Sequence, residues 1–412
     1  MNTLKKVVFL LLIVILAFTG LTACKKDGAS KDGKVEIEFF QYKTEARGTF
    51  DKLIAKFEKE NPEIRVVQSN PPDAMTVLKT RIAKRDMPDV IGMGADVTLK
   101  ELVDAKALAD MSDSPALDGI QPAYVQMVKD VSGAKEVYGI PYATNAVGVI
   151  YNKKMFKEMG LKVPQTWDEL IATADKVKKT GKIPFYFTFK DAWTTLPSYN
   201  VLAANTQGED FFEKLHAGET SFSKGHQEAA NKYLKLLEYG HKNQNGKAYN
   251  DGNTAFANGE SAMYLQGIWA IPEIKKANPN IELGVFPFPV TNKPGESKVV
   301  SGVDLLLATA TTTEHPEEAK KFIEFLTTDK VAKEYLAQQN AFSAKQGLVQ
   351  KDPSVEGLKE SFKKGAVVDF PDHYVPSAVG LDKLLQEFVK KQDSKAYLKK
   401  IDAEWEKVAD RK

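Results

Sequence analysis

Cysteine is almost missing from this chain: Cys24 is the only one in 412 residues. No internal disulfide can form, so a folded body must be held by core packing even if the chain is exported. Histidine is nearly as scarce. His216, His226, His241, His315 and His373 are scattered along the chain, and no two make the i,i+4 pair of a helical metal site. No G-x-S-x-G elbow, G-x-G-x-x-G turn or P-loop run is present, which removes the commonest signs of acyl transfer, dinucleotide binding and nucleotide hydrolysis. Charge of one sign is lacking as well, with 57 basic residues against 55 acidic ones. A balanced chain of this kind argues against nucleic acid or an acidic polymer as partner, because both select a basic surface.

Long apolar runs are also absent apart from residues 7–18, which follow Lys5 and Lys6. A basic start and a short uncharged run read as a secretory signal, too short to span a bilayer stably. Leu21-Thr22-Ala23-Cys24 comes next and resembles the bacterial lipobox, in which the cysteine is lipidated and becomes the mature N-terminus. The expectation is a signal peptide over residues 1–23, a lipid on Cys24, and a flexible tether over 24–33 (CKKDGASKDG). Loss of Lys5 and Lys6 would leave 55 basic and 55 acidic residues. The roughly 380 residues that follow exceed what one hydrophobic core usually serves, so two lobes are expected.

Along the body, residues 35–40 alternate as a strand and 50–61 carry apolar positions at helical spacing up to Pro62. A second strand at 64–68, a helix at 73–84 and a buried strand ending near Asp96 complete a parallel α/β pattern. A helix is expected at 99–109. A strand broken by Gly-Pro runs from Tyr142 through Asn145 and on to Tyr151, and Thr166 with Glu169 forms a capping box. Residues 254–276 (TAFANGESAMYLQGIWAIPEIKK) read as a helix end, a turn at Gly259, a strand, a loop carrying Gln266, Gly267 and Trp269, and a new helix. A strand feeding a loop and then a helix is how an open α/β sheet offers groups to a ligand.

MPDVIGMGAD, YNKKMFKEMGLKVPQTWDEL, FANGESAMYLQGIW and SGVDLLLATATTTEHPEEAKKFIEFLT appear in this order. Together with the lipobox they resemble the extracellular solute-binding proteins of sugar-uptake ABC transporters, of which maltose-binding protein is the best-known relative. The resemblance implies a two-lobed α/β clamp, each lobe a mainly parallel sheet flanked by helices, with the chain crossing between lobes near residues 143–145, 299–302 and 340–345. One lobe would combine residues 34–142 with 302–340, the other 143–301 with 341–412. It implies a monomeric lipoprotein at the outer face of the cell membrane. Its ligand would be a mono- or oligosaccharide passed to permease subunits, with no cofactor and no metal.

Candidate ligand residues lie at strand ends. Trp269 and Trp193 offer flat apolar faces that suit the C–H face of a sugar ring, whereas Trp167 and Trp405 sit where helix ends and stripes bury them. Asp304, inside an apolar strand, and Asp96 can accept charge-assisted bonds from paired hydroxyls, with helix capping the rival role for Asp96. Asn145, Gln266, Gln41, Glu45, Tyr142 and Tyr374 complete the candidates. Two alternatives stay open at this point. One is the same clamp on a non-sugar solute; the other is a lipid-anchored glycoside hydrolase, whose carboxylate pair would be visible only in space.

Overall fold

The first strand already specifies a layered lobe. Phe39 and Phe40 are adjacent, so they must point to opposite faces, and both are fully buried. In the computed structural model, which describes residues 33–348 and 350–409, each face is covered by helices. Phe39 packs with Phe50, Phe57, Phe322 and Tyr335 from the helices Arg47–Glu60, Pro316–Thr327 and Asp329–Gln339. Phe40 packs with Leu78, Leu99 and Val128 from Ala74–Lys84, Val97–Asp104 and Pro122–Ser132. Residues 1–32 lie outside the described residues, and with them the expected signal peptide, Cys24 and most of the tether.

The strands in chain order are β1 (Val35–Gln41), β2 (Ile64–Ser69), β3 (Val90–Met93), β4 (Ile140–Thr144), β5 (Val147–Asn152) and β6 (Ile183–Phe185). They continue as β7 (Ser261–Gly267), β8 (Leu283–Phe286), β9 (Val299–Val300), β10 (Val303–Thr309), β11 (Phe342–Ser343) and β12 (Val367–Val368). One sheet runs β11-β4-β10-β3-β1-β2 and another β6-β7-β5-β8, while β12 pairs only with β9. The sheets are mixed. Parallel pairing joins β1 to β2 and β3, and β6 to β7; β10 lies antiparallel to both β3 and β4, and β5 to both β7 and β8. The mainly parallel expectation therefore describes only the first β-α-β run and the β6–β7 pair. Strands that return from the other lobe enter against it.

The second sheet repeats the layering. Val149 and Met263 face a core with Trp167, Leu202, Tyr233, Phe388 and Trp405, and their neighbours Ile150 and Tyr264 face Phe256, Ile271 and Leu358. Trp167 and Trp405 are thus structural, as their helix positions suggested. Thr166 accepts from the Glu169 amide at 3.2 Å, but the Glu169 carboxylate reaches back to Gln165 rather than to Thr166, so only half of the capping box forms.

Asn145 stands between β4 of the first sheet and β5 of the second, and Ser301-Gly302 between β9 and β10. The third passage falls later than residues 340–345. β11 still pairs with β4, Lys345 bridges to Ile120, and Ala344 and Leu348 pack in the first core. Val355 is already in the second. Residues 341–348 therefore belong with the first lobe. A two-residue strand carries too little periodicity to show this from sequence.

Candidate functional site

The carboxyl ends of β1 and β3, the amino end of the antiparallel β10 and the loops after β6, β7 and β12 converge on a cavity of about 810 Å³. Its lining comes from both lobes. On one wall, the chain leaving β1 presents Tyr42, Lys43 and Glu45 to Asp304 of β10. Lys43 Nζ lies 2.7 Å from Asp304 Oδ2 and 3.0 Å from Glu45 Oε1, in a pair whose side chains are only 5% and 7% exposed. Burial works against the lysine charge, yet the Asp304 and Glu45 carboxylates outweigh it and hold the Lys43 pKa above the ordinary lysine value. The Tyr42 hydroxyl donates to the Asp304 carbonyl at 2.6 Å, and burial, reinforced by Asp304, pushes its pKa up. Asp304 thus enters the cavity already oriented by a cation and a neighbouring phenol.

Asn145 joins this wall to the crossings. Its Nδ2 donates to Asp304 Oδ1 at 2.9 Å, its backbone N–H donates to the Gly302 carbonyl, and its own carbonyl accepts from Ser301 Oγ at 2.6 Å. Asp96 takes the capping role and also stands on the cavity wall. It caps the helix Val97–Asp104, accepting from the Thr98 amide at 2.7 Å, and its side chain lines the cavity.

The opposite wall carries the aromatic surface. Trp193 is 39% exposed, high for an indole, and meets the Tyr249 ring at 4.9 Å between centroids and 58° between planes. Tyr249 opens the helix Tyr249–Ala257, its amide donating to Asp191 Oδ2 at 2.8 Å. Trp269, half-buried, precedes the helix Ala270–Ala277 and folds back over Gly267, where an added Cβ would fall 1.9 Å from its ring. Gly267 is therefore required by the indole, and the indole still lines the cavity. Asn200 and Asp372 pair at 2.7 Å, with the Asp372 carboxyl pushed up by burial. His373 beside them is held by Asp369 at 3.0 Å.

Of the residues singled out from sequence, Trp269, Trp193, Asp304, Asp96, Asn145 and Glu45 line the cavity. Four do not. Gln41 is fully buried at the end of β1, bonded to Gln68 and accepting from the Lys43 amide. Gln266 shares the Tyr264 side of β7 and is 1% exposed, its oxygen taken by the Gly267 amide. Tyr142 packs at a tilt on Tyr335 within the first core, 4.9 Å between centroids. Tyr374 donates to Asp369 and packs on Phe212 at 5.2 Å. Each lies on a loop or strand that reaches the cavity, but with the side chain committed to its own lobe. Sequence reasoning missed Lys43, Tyr249, Asn200, Asp372 and His373. The acidic loop DFPDHY follows a strand of two residues, and only its tyrosine stood out. Among the described residues, no group of three or more His, Cys, Asp or Glu side chains is arranged to hold a metal ion.

Two α/β lobes, linked by several crossings and enclosing an aromatic and carboxylate-lined cavity, define a solute-binding clamp. Residues 42–333 match the model of the bacterial extracellular solute-binding protein family, and the chain belongs to that family. It is 36% identical over 343 residues to the multiple sugar-binding protein of Streptococcus mutans, covering 80% of each chain. It is 26% identical to the melibiose/raffinose/stachyose-binding protein MelE of Bacillus subtilis, over 79% of this chain and 78% of that one. The solved structure of the solute-binding protein RafE in complex with raffinose superimposes with a TM-score of 0.80 at 28% identity, covering 90% of this chain and 99% of that one.

Proposed function

We propose that this chain is the carbohydrate-capturing lipoprotein of an ABC importer. It would be exported by residues 1–23, anchored through Cys24 at the outer face of the cell membrane, and would act as a monomer that hands an oligosaccharide to permease subunits. Trp193, Trp269, Tyr249, Asp304, Asp96, Asn145, Glu45, Asp372 and His373 would contact the sugar. The observation that carries this reading is the exposed indole of Trp193 on one side of an 810 Å³ cavity whose other side is a fixed carboxylate. A pyranose has an apolar face for the ring and a rim of donating hydroxyls for the carboxylates. The volume sits high in the range of roughly 300–1,000 Å³ typical of ligand sites, which favours several sugar units over one. Two of the similar proteins are named for raffinose, which supports the same ligand class here.

A thermal-shift screen of the body from residue 34 onward against raffinose, stachyose, melibiose and simple hexoses tests this. A sugar at 100 times its Kd adds about 2.7 kcal/mol of stability. No shift with any carbohydrate, together with a shift from a polyamine or peptide, would move the reading to the non-sugar clamp. Seven carboxylates line the cavity against Lys43, Lys276 and His373, which makes that control informative. Partitioning of the full chain with membranes, lost in Cys24→Ser, tests the anchor.

A further inference from the structure

Asp369 lies just behind the cavity wall and does not line it. It follows β12, whose pairing with β9 lays residues 369–374 alongside the Ser301-Gly302 crossing. A Cβ on Gly302 would fall 2.7 Å from Asp369 Oδ1 and 3.1 Å from His373 Cε1, so the pair rests directly on the crossing backbone. Both carboxylate oxygens are occupied. Oδ1 accepts from the Phe370 amide at 2.8 Å and faces His373 Nδ1 at 3.0 Å; Oδ2 accepts from the Tyr374 hydroxyl at 3.2 Å. The imidazole also stacks on Phe370, 4.9 Å between centroids and 28° between planes.

The ring is therefore fixed in orientation, and its tautomer follows. An ionised carboxylate only accepts, so Nδ1 must carry a hydrogen, which leaves Nε2 as the polar atom free to serve a ligand. The charged groups facing the ring are Asp369 and Asp372 from its own loop and Asp96 from the other lobe, with Tyr374 on Asp369. Burial works against protonation here, but Asp369 first and then Asp372 and Asp96 outweigh it, and the His373 pKa rises to about 9.

We propose that Asp369 is a positioning residue of the ligand site, holding His373 against the crossing as a double donor whose Nε2–H serves an acceptor oxygen of the captured carbohydrate. The chemistry suits a hydroxyl. Each hydroxyl has one hydrogen to give to Asp372 or Asp96 and lone pairs left to receive a charged N–H. The inference rests on the carbohydrate reading for its ligand, but the state of the ring can be read without one.

The decisive experiment is side-chain ¹⁵N NMR of the five histidines in the ligand-free protein across pH, in wild type, Asp369→Asn and His373→Gln, the last assigning the signal. In parallel, calorimetry with raffinose compares affinities between about pH 6 and pH 8, a window that straddles an unperturbed imidazole. Expected are a wild-type His373 that stays doubly protonated through this window and an Asp369→Asn ring that titrates within it, toward the ordinary value near 6.5. Raffinose affinity should be flat for wild type. It should drop about tenfold across the window for Asp369→Asn, the loss of one charge-assisted bond, and be low and flat for His373→Gln. A His373 titration unmoved by Asp369→Asn overturns the proposal whether or not raffinose binds. So does an affinity loss in Asp369→Asn that is the same at every pH. Absence of raffinose binding with the expected titration shift would instead count against the choice of sugar.

Discussion

Trp193 offers the most direct test of how the cavity holds its ligand. An indole side chain presents up to about 250 Å², and 39% exposure of Trp193 leaves on the order of 100 Å². A sugar can cover one face, about half of that, and loses a similar area of its own C–H surface. Some 100 Å² of apolar contact at about 25 cal/mol per Å² gives roughly 2.5 kcal/mol. Trp193→Ala should therefore raise the Kd by on the order of fiftyfold. Its cost in folding stability should be small, because the ring's main intramolecular neighbour is Tyr249, a pairing worth about 1 kcal/mol. Trp269→Ala should behave differently. That ring covers Gly267 and packs against the second-lobe core as well as lining the cavity, so both stability and affinity should fall. Calorimetry with raffinose and urea unfolding on the two variants separate the cases. A Trp193→Ala protein with unchanged affinity would refute ring stacking at this position, whatever its stability.

Three further outcomes follow from the same geometry. Lys43→Met should destabilise the fold by about 3–5 kcal/mol in urea unfolding, because it strands the buried Asp304 carboxylate that Lys43 neutralises, and Asp304→Asn in the same background should recover part of the loss. Ser377 of the second lobe bonds Lys79 Nζ at 2.7 Å and Glu101, which pair with each other at 2.8 Å on the first lobe; Ser377→Ala should speed ligand release a few-fold in stopped-flow measurements and leave capture nearly unchanged, in keeping with about 1 kcal/mol for partly exposed polar contacts. His226 is buried against Tyr199 and Gln207, and burial lowers its pKa to about 3. Its folded value lies below its unfolded one, so its contribution to stability is full above about pH 6.5 and is lost as pH falls toward 3. Urea midpoints that drop over this range in wild type but much less in His226→Gln would bear this out, and parallel slopes would sink it.

The sequence showed the lobes more clearly than the cavity, for a physical reason. Residues 64–68 alternate between buried and less buried positions, while 299–308 form an unbroken buried, mostly apolar run between two helical layers, and both patterns are written locally. The helix at 99–109 was misjudged because Leu108 continues the apolar spacing but is used in a bridge to Ala310 after the helix has ended at Asp104. Cavity membership is decided elsewhere, by which of several strand-end side chains turns outward. Gln41 and Lys43 flank the same bend, and it is Lys43 that meets Asp304 across 261 residues. Tyr374 and His373 are neighbours, and Phe212 takes the tyrosine into its own lobe. Nothing within a few residues of either pair distinguishes them. The aromatic positions were readable because an indole just past a strand end has few ways to be buried.

The charge of the cavity bears on what can close it. Asp96 of one lobe faces Asp372 and His373 of the other, so bringing the lobes together crowds carboxylates with one imidazolium between them. The contact at the mouth, Lys79 with Ser377 and Glu101, is partly exposed and supplies about 1 kcal/mol. Driving a clamp from 1% to 99% closed needs a ligand that prefers the closed state by about 5.5 kcal/mol. A sugar stacked on Trp193 of one lobe keeps that contact open or closed, so the whole of that preference, about 5.5 kcal/mol, must come from hydrogen bonds that exist only when both walls are present. At about 2 kcal/mol for each bond to a charged group, a closing ligand needs some three hydroxyls that reach the opposite carboxylates while its ring lies on Trp193. A single hexose stacked on the indole spends one face there and has only its rim to span an 810 Å³ cavity. A second and third unit extend that rim to Asp304 and Asp96. Scattering curves should therefore show raffinose compacting the protein at saturation, and galactose at saturation compacting it less. Equal compaction by both would mean that the closing contacts are all made to one sugar unit.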